Sequence, residues 1–164
     1  MDHCDECGFT YELAGAESSG PTIVALVDQL AAVLDDPTTD LRTRRDPDVW
    51  SPLEYGCHMR DVLLVQRERV LAARRSDTPS FAPMGRDERV GHDGYAEQEP
   101  AAVARQAREA AALFANVLAR VGDDWERTVA YNYPAPTERS LRWVAVHTVH
   151  EMRHHLLDVR RQLT

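Results

Sequence analysis

Lysine is absent from this chain: all 19 basic residues are arginine. Folding physics does not demand that choice. With the abundance of Ala and Asp, it reads as the codon bias of a GC-rich genome such as an actinobacterial one. Long apolar runs are also missing. No stretch approaches the roughly 18 residues that a spanning helix needs, so no membrane partner is expected. The amino-terminal "MDHCDECGFTYEL" has neither the basic n-region nor the apolar h-region of a secretory signal, which makes the cytoplasm the expected location. Cysteines number only 3, and in a reducing compartment they read as thiols or ligands rather than a disulfide framework. Positive charge is scarce too. The net charge is −8 and the longest basic cluster is "RTRR" at 42–45, so nucleic acid is not an expected partner.

The 164 residues are 43% apolar and 28% charged, which suits one soluble domain over 1–164 with an amino-terminal arm at 1–18 carrying Cys4-x-x-Cys7. Four segments carry helical periodicity: 20–36, 52 to about 75, 100–122 and 140–163. Ser51, Pro52 and Glu54 form a capping box at the start of the second. Ser140 caps the last, and Gly122 ends the third. The fold class expected is all-α, a four-helix bundle with a long crossover between helices 2 and 3. That crossover, "SDTPSFAPMGRDERVGHDGYAEQE", reads as irregular, and "RTVAYNY" as a short hairpin arm before the last helix.

"HTVHEMRHHLLDV" at 147–159 holds four of the chain's seven histidines. It contains HEMRH, the H-E-x-x-H string of zinc peptidases. Helical rotation sorts these residues. Ala145, Val149, Met152, Leu156, Val159 and Leu163 form the core face. His150 and His154 then project away from it, toward solvent, which argues against a zinc metallopeptidase. Glu151 and His155 share the shoulder of the apolar stripe. His58, mid-helix in "EYGCHMRD", is the candidate third ligand. A set of His58, Glu151 and His155 leaves a coordination position open, as catalytic zinc sites do.

These motifs resemble the DinB/YfiT-like metalloprotein superfamily: "WSPLEYGCHMRDVL" is similar to its second-helix motif and "HEMRHHLLDV" to its last-helix motif. The E-x-x-x-H-x-x-D pattern is closest to the mycothiol-dependent maleylpyruvate isomerase branch; members with three histidines place one where Glu151 stands. The resemblance implies a divalent metal, zinc or else nickel, held by His58, Glu151 and His155. It implies a metal-dependent thiol S-transferase or isomerase, with a low-molecular-weight thiol such as mycothiol as co-substrate and a small-molecule electrophile. A non-catalytic metal-binding or stress-related member is the rival reading. Asp158 and Asp61 are the candidate catalytic carboxylates. Arg60, Arg153 and the arginines of 86–89 are candidates for holding an acidic substrate, and Tyr95, Tyr131 and Tyr133 for covering the pocket.

Cys4 and Cys7 have the spacing of a metal knuckle or redox pair. A tetrahedral site needs two more ligands, for which His3 and Cys57 are the nearest candidates in chemistry, although Cys57 reads better as a small core residue. The alternative is that the arm folds over the bundle end and brings a thiolate to the metal of His58. Apolar faces of such bundles often pair, which makes a homodimer a candidate assembly.

Overall fold

A capping box starts the helix that carries His58. In the computed structural model, which describes residues 3–132 and 135–163, the bundle helices are α1 (Ser19–Leu34), α2 (Pro52–Ala73), α4 (Pro100–Leu118) and α5 (Leu141–Leu163). A short α3 (Arg86–His92) lies in the crossover, and four strands, β1 (His3–Cys4), β2 (Phe9–Thr10), β3 (Thr128–Asn132) and β4 (Pro136–Ser140), pair as two hairpins. At the start of α2 the Ser51 hydroxyl accepts from Glu54 N–H, and the Glu54 carboxylate accepts from Ser51 N–H at 2.7 Å. Pro52 at N1 gives up no needed donor. Ser140 caps α5 by accepting from Trp143 N–H at 3.2 Å.

The helices do not pack in sequence order. α1 and α2 each pack against α4 and α5 and touch one another little, so they lie across a diagonal of the bundle. The core between them is filled by Ile23, Leu30, Leu53, Leu63, Phe114, Met152 and Leu156, all buried. Burial of side chains this size stabilises by about 1.5–3 kcal/mol each, far more than one cap at about 1 kcal/mol. This arrangement brings α2 and α5 side by side, which sets His58 against the last helix.

Two expectations need correction. The third helix ends at Leu118, not Gly122; Gly122 has φ +60 and opens a separate 3-10 turn, Gly122–Glu126. The crossover is not wholly irregular. Asp87 and Glu88 favour the first turn of α3, and Arg89 secures it by donating to Met84 O at 2.8 Å and to Asp61 Oδ2 at 3.0 Å. α1 starts after a 3-10 turn, Leu13–Ser18, without a side-chain cap. The hairpin before α5 is present: β3 pairs antiparallel with β4 from Thr128–Ser140 to Asn132–Pro136, and Tyr133 lies outside the described residues. Among the described residues, no helix is long and apolar enough to cross a membrane.

Candidate metal centre

α2 and α5 bring His58, Glu151 and His155 together: one ligand atom of each lies within 4.8 Å of the others. His58 is 2% exposed and His155 9%. Their rings meet edge to face at 4.8 Å, and the Trp50 ring packs on His58 at 5.1 Å. His155 Nδ1 is 3.0 Å from Asp158 Oδ2, which leaves its Nε2 for Glu151 Oε2 at 3.6 Å. Nδ1 of His58 is buried without any hydrogen-bond partner. An imidazole this deep with an unanswered nitrogen is costly in protein alone.

The charges follow from this packing. Burial, helped by nearby His155, drives His58 down to about 3, so it is neutral at physiological pH. Burial also pulls on His155, but Asp158 and Glu151 outweigh it and raise that imidazole to about 9. Burial works against the Glu151 charge, yet His150 and His155 hold its carboxyl well below the ordinary range. The charge of ionised Glu151 is thus balanced by a proton on His155, which a divalent ion would displace. Two imidazoles and one carboxylate are a donor set suited to zinc or a similar ion.

A cavity of about 390 Å³ opens on the set, lined also by Arg69, Tyr131, His147, His150, His154 and the segment 83–88. Arg69 is 5% exposed, with its guanidinium 4.3 Å from the centre of the Tyr131 ring. Burial brings His147 down to about 4, and its Nδ1 lies 2.8 Å from the Tyr11 hydroxyl. A second cavity, about 440 Å³, lies on the Asp158 side of His155, between Trp50, Tyr55, Arg86 and Arg161.

Two overlapping groupings, His147–His150–Glu151 and His154–His155–Asp158, also have ligand atoms within 4.8 Å. Both come from α5 alone. In the second, Asp158 is already occupied by His155 Nδ1. The His58 set spans two helices and leaves that orienting bond intact, as metal-binding histidines require.

Other expected residues stand elsewhere. His150 and His154 do not face solvent. The arm covers them: Phe9 and Tyr11 rings lie 5.3 and 5.4 Å from His150, and Cys4 Sγ lies 3.7 Å from His154 Nδ1. Helical rotation alone could not foresee a segment folding back from the other end of the chain. Asp61 does not line the cavity at His58; its carboxylate accepts from Arg60 Nε at 2.8 Å, Arg89 at 3.0 Å and Tyr95 hydroxyl at 2.7 Å. Arg60 is committed to Asp61, Gln98, Gln106 and Asp93. Arg153 is exposed near Phe9, His92 is exposed in α3, and His3 sits against Thr10. Tyr95 is a core residue, while Tyr131 lines the cavity. Cys57 is a buried core thiol that burial pushes up to about 12. Sequence reasoning missed Arg69 and His147. Arg69 follows His58 by eleven residues, about three turns, so period 3.6 put both on one face.

The family model described as DinB superfamily matches residues 22–159. The chain belongs to the DinB superfamily. Among solved structures it is similar to one described as "YfiT from Bacillus subtilis is a probable metal-dependent hydrolase with an unusual four-helix bundle topology". That match has a TM-score of 0.76 at 14% identity and covers 92% of this chain and 85% of that one, which shows the shared fold. No curated protein gives a significant match. His58, Glu151 and His155 all fall inside the matched span.

Proposed function

We propose that this DinB-superfamily chain is a metal-dependent enzyme whose His58, Glu151 and His155 hold a divalent ion, zinc or nickel, and use an exogenous nucleophile. The observation that carries it is the meeting of these three side chains on the wall of a 390 Å³ cavity. Three protein ligands leave a coordination position open. The ion supplies Lewis acidity there, lowering the pKa of a thiol or water that takes this position.

The chain's own residues support transfer chemistry. Among the described residues lining the cavity there is no Cys, Ser or Thr, which supports a nucleophile supplied from outside the protein. A low-molecular-weight thiol such as mycothiol, attacking a small electrophile, is the reading that the E-x-x-x-H-x-x-D pattern favours. Asp158 is a positioning residue that fixes the His155 tautomer through Nδ1. Arg69 and Arg86 at the cavity bind an acidic group of the substrate. Neutral His147, whose Nε2 lies 3.7 Å from Glu151 Oε1, is placed to relay a proton near the reacting centre. Asp61 acts at a distance by fixing the crossover through Arg89 and Tyr95.

Hydrolysis is the second reading, favoured by the same open position and by the structural likeness to a Bacillus subtilis protein described as a probable metal-dependent hydrolase. The test is metal-loaded protein with a model electrophile, with and without thiol. Thiol-dependent conjugation that disappears in Glu151→Gln supports transfer. Thiol-independent turnover supports hydrolysis, and metal binding with neither activity supports a non-catalytic member.

A further inference from the structure

Two cysteines and two histidines stand outside this reading. Cys4 ends β1 and Cys7 sits in the turn to β2, which Gly8 closes at φ +67 while donating its N–H to Cys4 O at 2.8 Å. One ligand atom from each of Cys4, Cys7, His150 and His154 lies within 4.8 Å of the other three. The 3.7 Å from Cys4 Sγ to His154 Nδ1 is close to the roughly 3.6 Å expected between sulfur and nitrogen ligands of a tetrahedral zinc ion. His150 Nδ1 is engaged by the Tyr11 hydroxyl at 2.9 Å, which leaves Nε2, buried and without a hydrogen-bond partner. His154 Nε2 faces Glu6 Oε2 and Asp158 Oδ2, each at 3.6 Å. His150 therefore has one nitrogen held by an oxygen and the other free for a ligand, the arrangement that orients metal-binding histidines, while His154 presents Nδ1 to Cys4.

We propose that Cys4, Cys7, His150 and His154 form a second metal site, a closed tetrahedral Cys2His2 centre for zinc that fastens the amino-terminal arm to α5. Two thiolates and two imidazoles favour zinc over magnesium, calcium or manganese. With all four positions filled by protein, the site is structural. The site would add to the packing of Phe9 and Tyr11 on α5 in holding a hairpin whose two-residue strands do not persist by themselves. The site also explains the HEMRH string: its two histidines are ligands, but of a closed centre, while the glutamate between them belongs to the His58 set. A redox role for Cys4-x-x-Cys7 would leave His150 Nε2 unanswered. The proposal does not depend on the function assigned to His58, Glu151 and His155.

The experiment is cobalt(II) titration of the full-length, reduced, metal-free chain, followed by absorption. Thiolate-to-cobalt charge transfer reports only on the cysteine site, since the His58 set contains no sulfur. Wild type should bind two equivalents, with charge-transfer absorption and the intense d–d bands of tetrahedral cobalt. Cys4→Ser/Cys7→Ser should bind one equivalent without charge transfer. His58→Ala/His155→Ala should bind one with charge transfer retained. If only the His58 reading fails, wild type binds one equivalent with full charge transfer, and the present proposal stands. Absence of charge transfer in the wild type, a measurement that needs no variant to fold, overturns it. So does a stoichiometry unchanged by the double cysteine substitution.

Discussion

The rings of His154 and His155 stand 5.3 Å apart at 89° to each other. One step of about 100° along α5 turns the first toward Cys4 and the second toward His58 and Glu151. Adjacent residues thus face the two proposed sites, and substitutions at the two positions should have separable effects.

Glu151→Gln keeps the shape of the side chain and removes its charge. Metal affinity at the His58 set should fall by at least about 100-fold, with helicity by circular dichroism unchanged. Retention of wild-type metal content after dialysis would show that Glu151 is not a ligand.

Asp158→Asn tests the orienting bond to His155. Affinity measured by competition with a chromophoric chelator should drop about 10–100-fold, while His154→Ala leaves it within a few-fold. An equal loss in both variants would mean that the two sites are not independent.

Glu54 links acidity to the start of α2. Burial raises its carboxyl, but Arg44 and the Ser51 N–H bind the charged form more strongly and hold it below the ordinary 4.5. A carboxyl depressed in the folded state stabilises above its unfolded value, and that contribution is lost as pH falls from about 4.5 through the folded value. Urea unfolding should show Glu54→Gln less stable than wild type by about 1–3 kcal/mol at pH 7. The gap should close as pH falls below 4.5; a gap constant from pH 7 to pH 3 would remove the charge from the account.

Asp61→Ala leaves buried Arg60 and its neighbour Arg89 without their shared carboxylate. A loss of about 3–5 kcal/mol is expected, read as a lower Tm. Metal content should stay the same. Loss of metal with an unchanged Tm would instead place Asp61 at the metal centre.

The bundle was legible because its signals are local. Ser51, Pro52 and Glu54 start α2 by bonds within one turn, and the rotation of α5 puts Glu151 and His155 on the shoulder facing α2. His58 was legible as their candidate partner from its mid-helix position, and the family motif marks the same residue. What depends on remote chain was not legible. Cys4 and His154 are neighbours in space and stand at opposite ends of the sequence, so helix rotation alone assigned His154 to solvent. Asp61 shows the same limit, since Arg89 and Tyr95 reach it from a crossover that reads as irregular.

Tyr11 owns a single hydroxyl hydrogen. Its oxygen lies 2.8 Å from Nδ1 of His147 and 2.9 Å from Nδ1 of His150, so it gives that hydrogen to one ring and accepts from the other. When both rings are neutral, they adopt opposite tautomers. With Nε2 of His150 bare beside the cysteines, Tyr11 donates to His147, whose Nε2 then points its own hydrogen toward Glu151. A phenol from the amino-terminal arm thus couples the tautomers of two histidines that face different side-chain clusters, and Tyr11→Phe would let each ring choose for itself.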